Sequence, residues 1–409
     1  MTNRQTNIQF AVTAMPARDS GPNELERTMA RHPLIYQELP YNPRYSVYNR
    51  RLACVGIDTA SAEEMYWMVR RKVILRHTGE LPTEIRGPDA EKLLDRVFTR
   101  DISKVKVGRC SYQFACYPDG GMIVDGILMR LGKDRFWYVQ ADGDFYSWLV
   151  AHAQGLDVDV FDPEVWVSQV QGPDSLKVLE AAVDGGMPDP FRFYDLAEAY
   201  IAGQRVFISR TGFTNELGWE FYLEPDVDAQ AIGDRILEAG KAHGMVPVSA
   251  EAFRTRRIEA GLLNAGSDFD LSVTPYAAGL GHMVDLDKAD FIGKTALEAA
   301  DKRRRTWGLC CQGGVPSNGK TVTRNGELAG VVCSSAWSPF QQCGVAIVRL
   351  GDPDLGPGTK IDVECTDGQT RSAEVCDTPM YDQAREIVRG KLIDIPQMPE
   401  AAKDGNRSR

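Results

Sequence analysis

Apolar and polar residues alternate along this chain in two rhythms, and one combination of them occurs twice. IRGPDAEKLLDRV (Ile85 to Val97) and VQGPDSLKVLEAA (Val170 to Ala182) each carry an apolar strand end into Gly-Pro-Asp and then into leucines at helical spacing. The echo predicts a duplicated strand-turn-helix unit, and with it two similarly built subdomains. Asp89 and Asp174 fall where the free N–H groups of a helix start call for an acceptor. AYIAGQRVFIS (Ala199 to Ser209) alternates as a half-buried strand does, and Trp219 to Leu223, WEFYL, is again β-rich; Gly212 and Gly218 mark the turn between them. In GGMIVDGILMRL, Gly120-Gly121 predicts a hairpin turn, and the run that follows is too apolar for a surface strand. Helices are expected over Ala250 to Leu263 and Lys294 to Ala300. From about Trp307 to Val388, short strands separated by SNGK, RNGE, GPGT and TDGQ turns predict an all-β barrel or sandwich. The fold class is therefore α+β, with two related α/β subdomains followed by a C-terminal barrel or sandwich.

Composition narrows the function. A chain of 409 residues with 43% hydrophobic content can bury a large core, and its length suits two or three domains. The net charge of −10 excludes a broad nucleic-acid surface, which needs excess basic groups. Lys302 to Arg305, KRRR, is the local exception and reads as a solvated helix end or linker. No apolar run approaches the roughly 20 residues that cross a bilayer. The opening MTNRQTNIQF also lacks the apolar core of a signal peptide, so no membrane and a cytoplasmic location are expected. Nine cysteines without a CxxC pair predict reduced thiols, with neither a disulfide framework nor a zinc knuckle. The five histidines, at positions 32, 77, 152, 243 and 282, show no metal-ligand spacing, and no metal is expected. Phosphate loops, nucleophile elbows and a dinucleotide fingerprint for flavin are missing as well.

Two acids stand out. Glu216, in the turn RTGFTNELGWE (Arg210 to Glu220), can accept two parallel N–H donors from a planar heterocycle, unless it is a solvated loop residue. Asp125 lies in the apolar run after the paired glycines. Burial there raises its pKa and makes it a proton donor or ion partner, the alternative being a cap on its own turn. On the helix over Ala250 to Leu263, Arg254 and Arg257 share a stripe and can clamp a carboxylate or pair with neighbouring acids. Tyr36, Tyr41, Tyr45 and Tyr48, with Trp67 further on, suit stacking on a flat substrate or a sulfonium cation, or else plain packing.

RTGFTNELGWE resembles the R-T-G-Y-T-G-E-x-G-x-E stretch of the aminomethyltransferase (glycine-cleavage T-protein) superfamily. Further landmarks follow in family order: IRGPDAEKLLDRV, SYQFACYPDGGMIVDGILM, VQGPDSLKVLE, RRIEAGLLNAGSDF, TPYAAGLGHMVDLDKADFIGKTAL and SSAWSPF…VAIV, from about Pro43 to about Met380. Within the superfamily the chain is similar to tetrahydrofolate-dependent demethylases. It shares YSVYN, QADGD and EAGLL…TPYAAGLG with dimethylsulfoniopropionate demethylase, and the D-G-I run at Asp125 to Ile127 with aryl methyl ether O-demethylases.

The resemblance implies a three-domain T-protein-like architecture: a folate-binding core over 31–300 and a β-barrel over 301–395, with 1–30 disordered or extended and 396–409 a disordered tail. It implies tetrahydrofolate as cofactor and a methyl group moved to its N5 from a small methylated acid, foremost a methoxylated aromatic acid. The alternatives are dimethylsulfoniopropionate, glycine-cleavage-type aminomethyl transfer, or folate binding without catalysis in a regulatory protein. A small-molecule donor is the expected partner, and the chain is expected to be a monomer or homo-oligomer. By the same resemblance Glu216 grips the pterin, with Gln140, Thr214, Trp219 and Arg257 also at the cofactor; Asp125 orients N5 or manages its proton, and His77 and Tyr45 act near the donor. Lys302 to Arg305 would then attract the folate glutamate tail, and His282 lies beside a landmark. Val124, Gln140 and Phe253 replace an Asp, an Asn and an Arg of the T-protein pattern, which argues against an aminomethyl-lipoyl substrate.

Overall fold

A computed structural model describes residues 29–391 except Asp142. The expectations for 1–30 and 396–409 fall almost wholly outside the described residues. The chain begins with a hairpin, β1 (Arg44–Tyr48) and β2 (Arg51–Gly56), then helix α1 (Ala62–Arg71), which starts on a reciprocal cap between Ser61 and Glu64. Strand β3 (Ile74–His77) follows. The first Gly-Pro-Asp unit is β4 (Leu81–Arg86) and α2 (Ala90–Val97). It leads into β5 (Arg109–Cys116), β6 (Met122–Gly132), β7 (Arg135–Gln140), α3 (Phe145–His152) and β8 (Asp159–Phe161). The second unit, β9 (Trp166–Gln171) and α4 (Ser175–Ala182), leads into β10 (Leu196–Ile201), β11 (Gln204–Ser209), β12 (Gly218–Leu223) and α5 (Ala229–Lys241).

The sheets have the orders β5-β6-β7-β4-β8 and β10-β11-β12-β9-β3. In each, three consecutive antiparallel strands lie beside the strand of the Gly-Pro-Asp unit, so the duplication predicted from two short motifs extends to whole sheets. The glycines of the motif have one mechanical role in both copies. Gly87 (φ 141°) and Gly172 (φ 124°) sit where an added Cβ would lie 2.6 Å from the Asp157 carbonyl oxygen and 2.4 Å from that of Lys72. Asp89 and Asp174 do occupy the N-cap positions, but their carboxylates turn away: Asp89 accepts from the Asp157 N–H at 2.9 Å and Asp174 holds Lys177 at 2.8 Å. AYIAGQRVFIS is not one strand but the β10–β11 hairpin, because Ala202 (φ 51°) and Gly203 (φ 73°) turn the chain back within it.

Helices α4 and α5 cover the outer face of the second sheet, packing Val178, Leu179, Ile232 and Ile236 on Val170, Ile208 and Phe221. Helices α2 and α3 do the same for the first, with Leu93, Leu94, Phe145 and Leu149 on Ile85, Leu128 and Phe136. The two inner faces meet through Met129, Trp137, Val167, Phe207 and Tyr222. Burying each such side chain contributes roughly 1.5–3 kcal/mol, which holds the four layers together.

The last third begins with α6 (Glu251–Ala260), which ends at Gly261 (φ 67°), and passes through an irregular stretch and α7 (Lys294–Ala299). It closes in a barrel of β13 (Thr306–Cys311), β14 (Thr321–Arg324), β15 (Glu327–Ser338), β16 (Cys343–Leu350), β17 (Lys360–Glu364) and β18 (Thr370–Cys376), ordered β13-β16-β15-β14-β17-β18. The predicted barrel is therefore present. Phe114, Met122, Ile258, Phe269 and Val345 form the core that ties it to the first sheet. Lys302 to Arg305 form the approach to the barrel, and their side chains are engaged internally: Arg303 pairs with Asp301 and Asp354, Arg304 donates to Thr306 and Thr378, and Lys302 to the Leu297 carbonyl. These contacts are those of a linker. All nine cysteines are free thiols, and among the described residues no helix is long and apolar enough to cross a membrane.

Candidate active site between the two sheets

Strand alternation decides which polar groups face the gap between the sheets. On β6, Asp125 shares a face with Ile127 and Met129, which pack in the inter-sheet core, so Asp125 continues that row towards the barrel. Its neighbour Val124 has the opposite parity and packs with α2 and α3, so the replacement of an acid at that position changes packing rather than the gap. Asp125 is buried and accepts a hydrogen bond from the Tyr112 hydroxyl at 2.7 Å. Burial, reinforced by Asp268 and opposed by the Tyr112 hydrogen bond, pushes its carboxyl up to about 6.

On β12, Glu220 shares its face with Tyr222, and on β9 Gln169 shares its face with Val167; Tyr222 and Val167 belong to the same inter-sheet core. Glu220 thus looks into the gap from the opposite wall. Its carboxylate accepts from Gln169 Nε2 at 2.7 Å, from the Tyr222 hydroxyl at 3.1 Å and from the Thr211 hydroxyl. Burial pushes its pKa up to about 7, with Glu80 adding to the rise. The charge of Glu220 is felt at Cys110 and Tyr194, and Tyr194 in turn is felt at Tyr112, so these three groups link the two acids. Cys110, Tyr112 and Tyr194 also line a cleft of about 810 Å³ whose rim carries Arg100, Lys104, Lys106, Arg109 and the exposed His282.

Glu216 has another setting. Its Oε1 takes Arg256 Nε at 2.7 Å and Arg70 Nη1; Arg256 continues to Glu259 at 2.7 Å, which also accepts from Tyr66, Ser338 and Tyr381. This buried four-charge chain joins α1, α6 and the barrel to the loop before β12 and leaves Oε2 of Glu216, Nε and Nη2 of Arg70 and Nη2 of Arg256 without a partner. The loop itself is held by Gln171, whose Nε2 donates to the Thr211 carbonyl at 3.0 Å and whose Oε1 accepts from Thr214 at 2.8 Å. Gly212 and Gly218 flank that amide so tightly that a Cβ on either would lie within 2.2 Å of it. Thr214 therefore shapes the loop.

The remaining expected residues scatter. His77 faces away from the gap, pinned between Ser168 Oγ at 2.9 Å and Gln37 Oε1 at 3.2 Å and stacked on His32; burial drives its pKa down to about 3, so it stays neutral. Trp219, with the parity opposite to Glu220, is buried in the outer core against Phe191. Arg257 holds Asp268 and Ser334, which places an ion pair near Asp125, while Arg254 donates to the Ser335 carbonyl. Gln140 ends β7 beside Gly126, its Oε1 buried without a partner. Tyr45 donates to Glu38 at 2.9 Å, and Tyr36 to Asp234 at 2.5 Å, so the tyrosine-rich entry segment divides between two cores.

The gap therefore carries acceptors for a row of N–H donors. Glu220 is one buried acceptor, and Glu80 Oε2 and Gln169 Oε1 are further buried acceptors with no partner. Glu216 Oε2, on the loop before β12, is likewise a buried acceptor without a partner, and Glu220 was not among the candidates read from the sequence. The missed signal was a lone acid inside WEFYL, a run apolar on both sides.

Residues 33–288 match the GCVT N-terminal domain family and residues 304–382 the glycine cleavage T-protein C-terminal barrel domain family. The chain is 34% identical over 317 residues to an aminomethyltransferase of Bacillus subtilis (strain 168), covering 75% of this chain and 86% of that one. It is 33% identical over 381 residues to a trimethylamine-oxide aldolase of Ruegeria pomeroyi, covering 89% of this chain and 48% of that protein. The crystal structure of glycine cleavage system aminomethyltransferase T from Bartonella henselae shares the fold, with a TM-score of 0.78 at 24% identity over 87% of this chain and 99% of that one. The resemblance read from the landmark motifs is borne out.

Proposed function

Because this chain belongs to the glycine-cleavage T-protein family, whose members use tetrahydrofolate for one-carbon transfer, we propose that it is a tetrahydrofolate-dependent demethylase acting on a small methylated acid. The observation that carries the reading is the pair of buried carboxyl groups, Asp125 and Glu220, facing one gap from opposite sheets. Glu220, Glu80 and Gln169 would hold the pterin edge. The basic rim of the cleft beyond Tyr112 and Tyr194 suits the anionic glutamate tail. Tetrahydrofolate, when bound, supplies N5 as methyl acceptor.

The chain's own contribution is positioning and proton handling. Holding donor and acceptor in line can remove on the order of 7–11 kcal/mol of barrier. Moving a methyl group from an aryl ether to a secondary amine breaks a C–O bond, forms a C–N bond, and leaves the amine with a proton to lose and the phenolate with one to gain. Asp125, ionised above about pH 6, can take that proton, with the Tyr112 hydroxyl fixing the orientation of its carboxylate. Phe253 stands where the aminomethyltransferase pattern has Arg, which supports a donor other than an aminomethyl-lipoyl group.

The test is to incubate the purified protein with tetrahydrofolate and, separately, 3-methoxybenzoate, dimethylsulfoniopropionate and aminomethyl-lipoyl carrier protein, and to assay the folate product. Formation of 5-methyltetrahydrofolate from 3-methoxybenzoate is expected. Methylenetetrahydrofolate from the carrier protein, or no product from any donor, would refute demethylation.

A further inference from the structure

We propose that Arg76 anchors the carboxylate of the methyl donor, with Phe253 as the apolar wall on which the donor's ring or chain lies. The inference rests on the demethylase reading and names the chemical class of its substrate.

Arg76 lies on β3 directly opposite Gln169, which lies directly opposite Glu220 on β12. The three side chains form one row across the sheet. With strands about 4.8 Å apart, Arg76 stands roughly 10 Å from the pterin-holding acid, a span that accepts one aromatic ring between a carboxylate and a methoxy group. The Arg76 guanidinium lies over the Phe253 ring, 4.8 Å from its centroid, and its Nε is buried without a partner. Its charge is felt by Glu38 and Glu80, yet among the described residues it makes an ion pair with neither. Glu38 accepts from Tyr45, and Tyr45, Phe213 and Phe253 pack together on Cys54 and Ile57.

The other arginines bordering this region each hold at least one acceptor, although Arg70 Nε and Nη2 and Arg256 Nη2 also lie buried without one. Arg51 donates to the carbonyls of Glu80 and Val165, Arg70 and Arg256 hold Glu216, and Arg257 holds Asp268. A buried N–H of a guanidinium left without an acceptor is costly, and its planar fork matches a carboxylate. Glu38 is pushed up to about 7 by its burial, so it only partly neutralises the arginine at neutral pH. An aromatic wall beside a fork-shaped cation that makes no ion pair among the described residues, on the row of the pterin acceptors, describes a site for a methylated carboxylic acid.

The experiment is calorimetric titration of the protein saturated with tetrahydrofolate, using acid and amide probes of equal shape: 3-methoxybenzoate against 3-methoxybenzamide, and dimethylsulfoniopropionate against its amide. The wild type is expected to prefer at least one acid over its amide by about tenfold to a hundredfold, the worth of a charge-assisted hydrogen bond. Arg76→Gln should abolish that preference while leaving tetrahydrofolate affinity within about twofold, and Arg76→Lys should restore part of it. Equal binding of acid and amide by the wild type, binding of neither acid, or an undiminished preference in Arg76→Gln would overturn the inference. The wild-type comparison stands even if the variant misfolds. An intact acid preference without 5-methyltetrahydrofolate formation would support this subsite while refuting demethylation.

Discussion

Replacing Glu220 by Gln separates binding from stability, because the two effects have opposite signs. In the free protein the carboxylate is held at a pKa of about 7 against an ordinary 4.5. A raised acid stabilises the folded state fully below its unfolded value and loses that contribution as pH rises through its folded value. At about 1.36 kcal/mol per pH unit, the rise from 4.5 to about 7 amounts to roughly 3 kcal/mol of stability lost by the wild type between pH 4 and pH 8. The amide introduced by Glu220→Gln does not ionise, so the stability difference between variant and wild type should move in the variant's favour by that amount over the same range. Urea unfolding at the two pH values measures it. Folate binding should go the other way. Two N–H donors on an ionised carboxylate are worth roughly 1.5–3 kcal/mol each, so the variant should bind tetrahydrofolate on the order of a hundredfold more weakly at pH 8. Wild-type affinity should itself fall as pH drops through about 7. A variant that binds folate normally, or whose stability keeps the wild-type pH dependence, would refute this placement of the pterin.

Glu216→Gln should instead be chiefly a stability mutant: it leaves Arg70 and Arg256 facing a neutral amide, at a cost of about 3–5 kcal/mol, read as a lower urea midpoint, with folate affinity reduced far less than in Glu220→Gln. Asp125→Asn should lower kcat at saturating folate and remove the acid limb of the wild-type profile, in which activity falls as pH drops through about 6 and the carboxylate takes up its proton; an unchanged limb would assign it to another group. Lys106→Glu, on the exposed rim of the cleft, should weaken binding of polyglutamylated tetrahydrofolate several-fold at low salt and little at high salt, since surface charges are screened within about 10 Å at 0.1 M; a change independent of salt would contradict the tail assignment.

What the sequence disclosed was local. The Gly-Pro-Asp turns at Gly87 and Gly172 carry their constraint in adjacent residues, and from them the duplicated sheets follow. The Asn-Gly turn at Gly326 likewise announces the β14–β15 hairpin of the barrel. Asp125 was legible because an acid in an apolar strand is costly wherever the strand lies. The difference in setting between Glu216 and Glu220 was not legible. It depends on partners 146 and 40 residues away, Arg70 and Arg256, which draw Glu216 into an ion chain. It also depends on the parity of β12, which turns Trp219 to the helices and Glu220 to the gap. The settings of His77 and Tyr45 were hidden for the same reason: alternation along β3 turns His77 away from the gap, and Glu38 captures the Tyr45 hydroxyl. Arg76 carries no motif at all. Its interest lies in a buried Nε without a partner, a property that exists only once the chain has folded.

The most direct measurement is a crystal structure of the protein with 5-methyltetrahydrofolate. The account predicts the pterin between the two sheets, its N–H edge within hydrogen-bond distance of Glu220 and its N5 turned towards Asp125. A pterin seated instead on Glu216 at the barrel contact, with the inter-sheet gap empty, would contradict it.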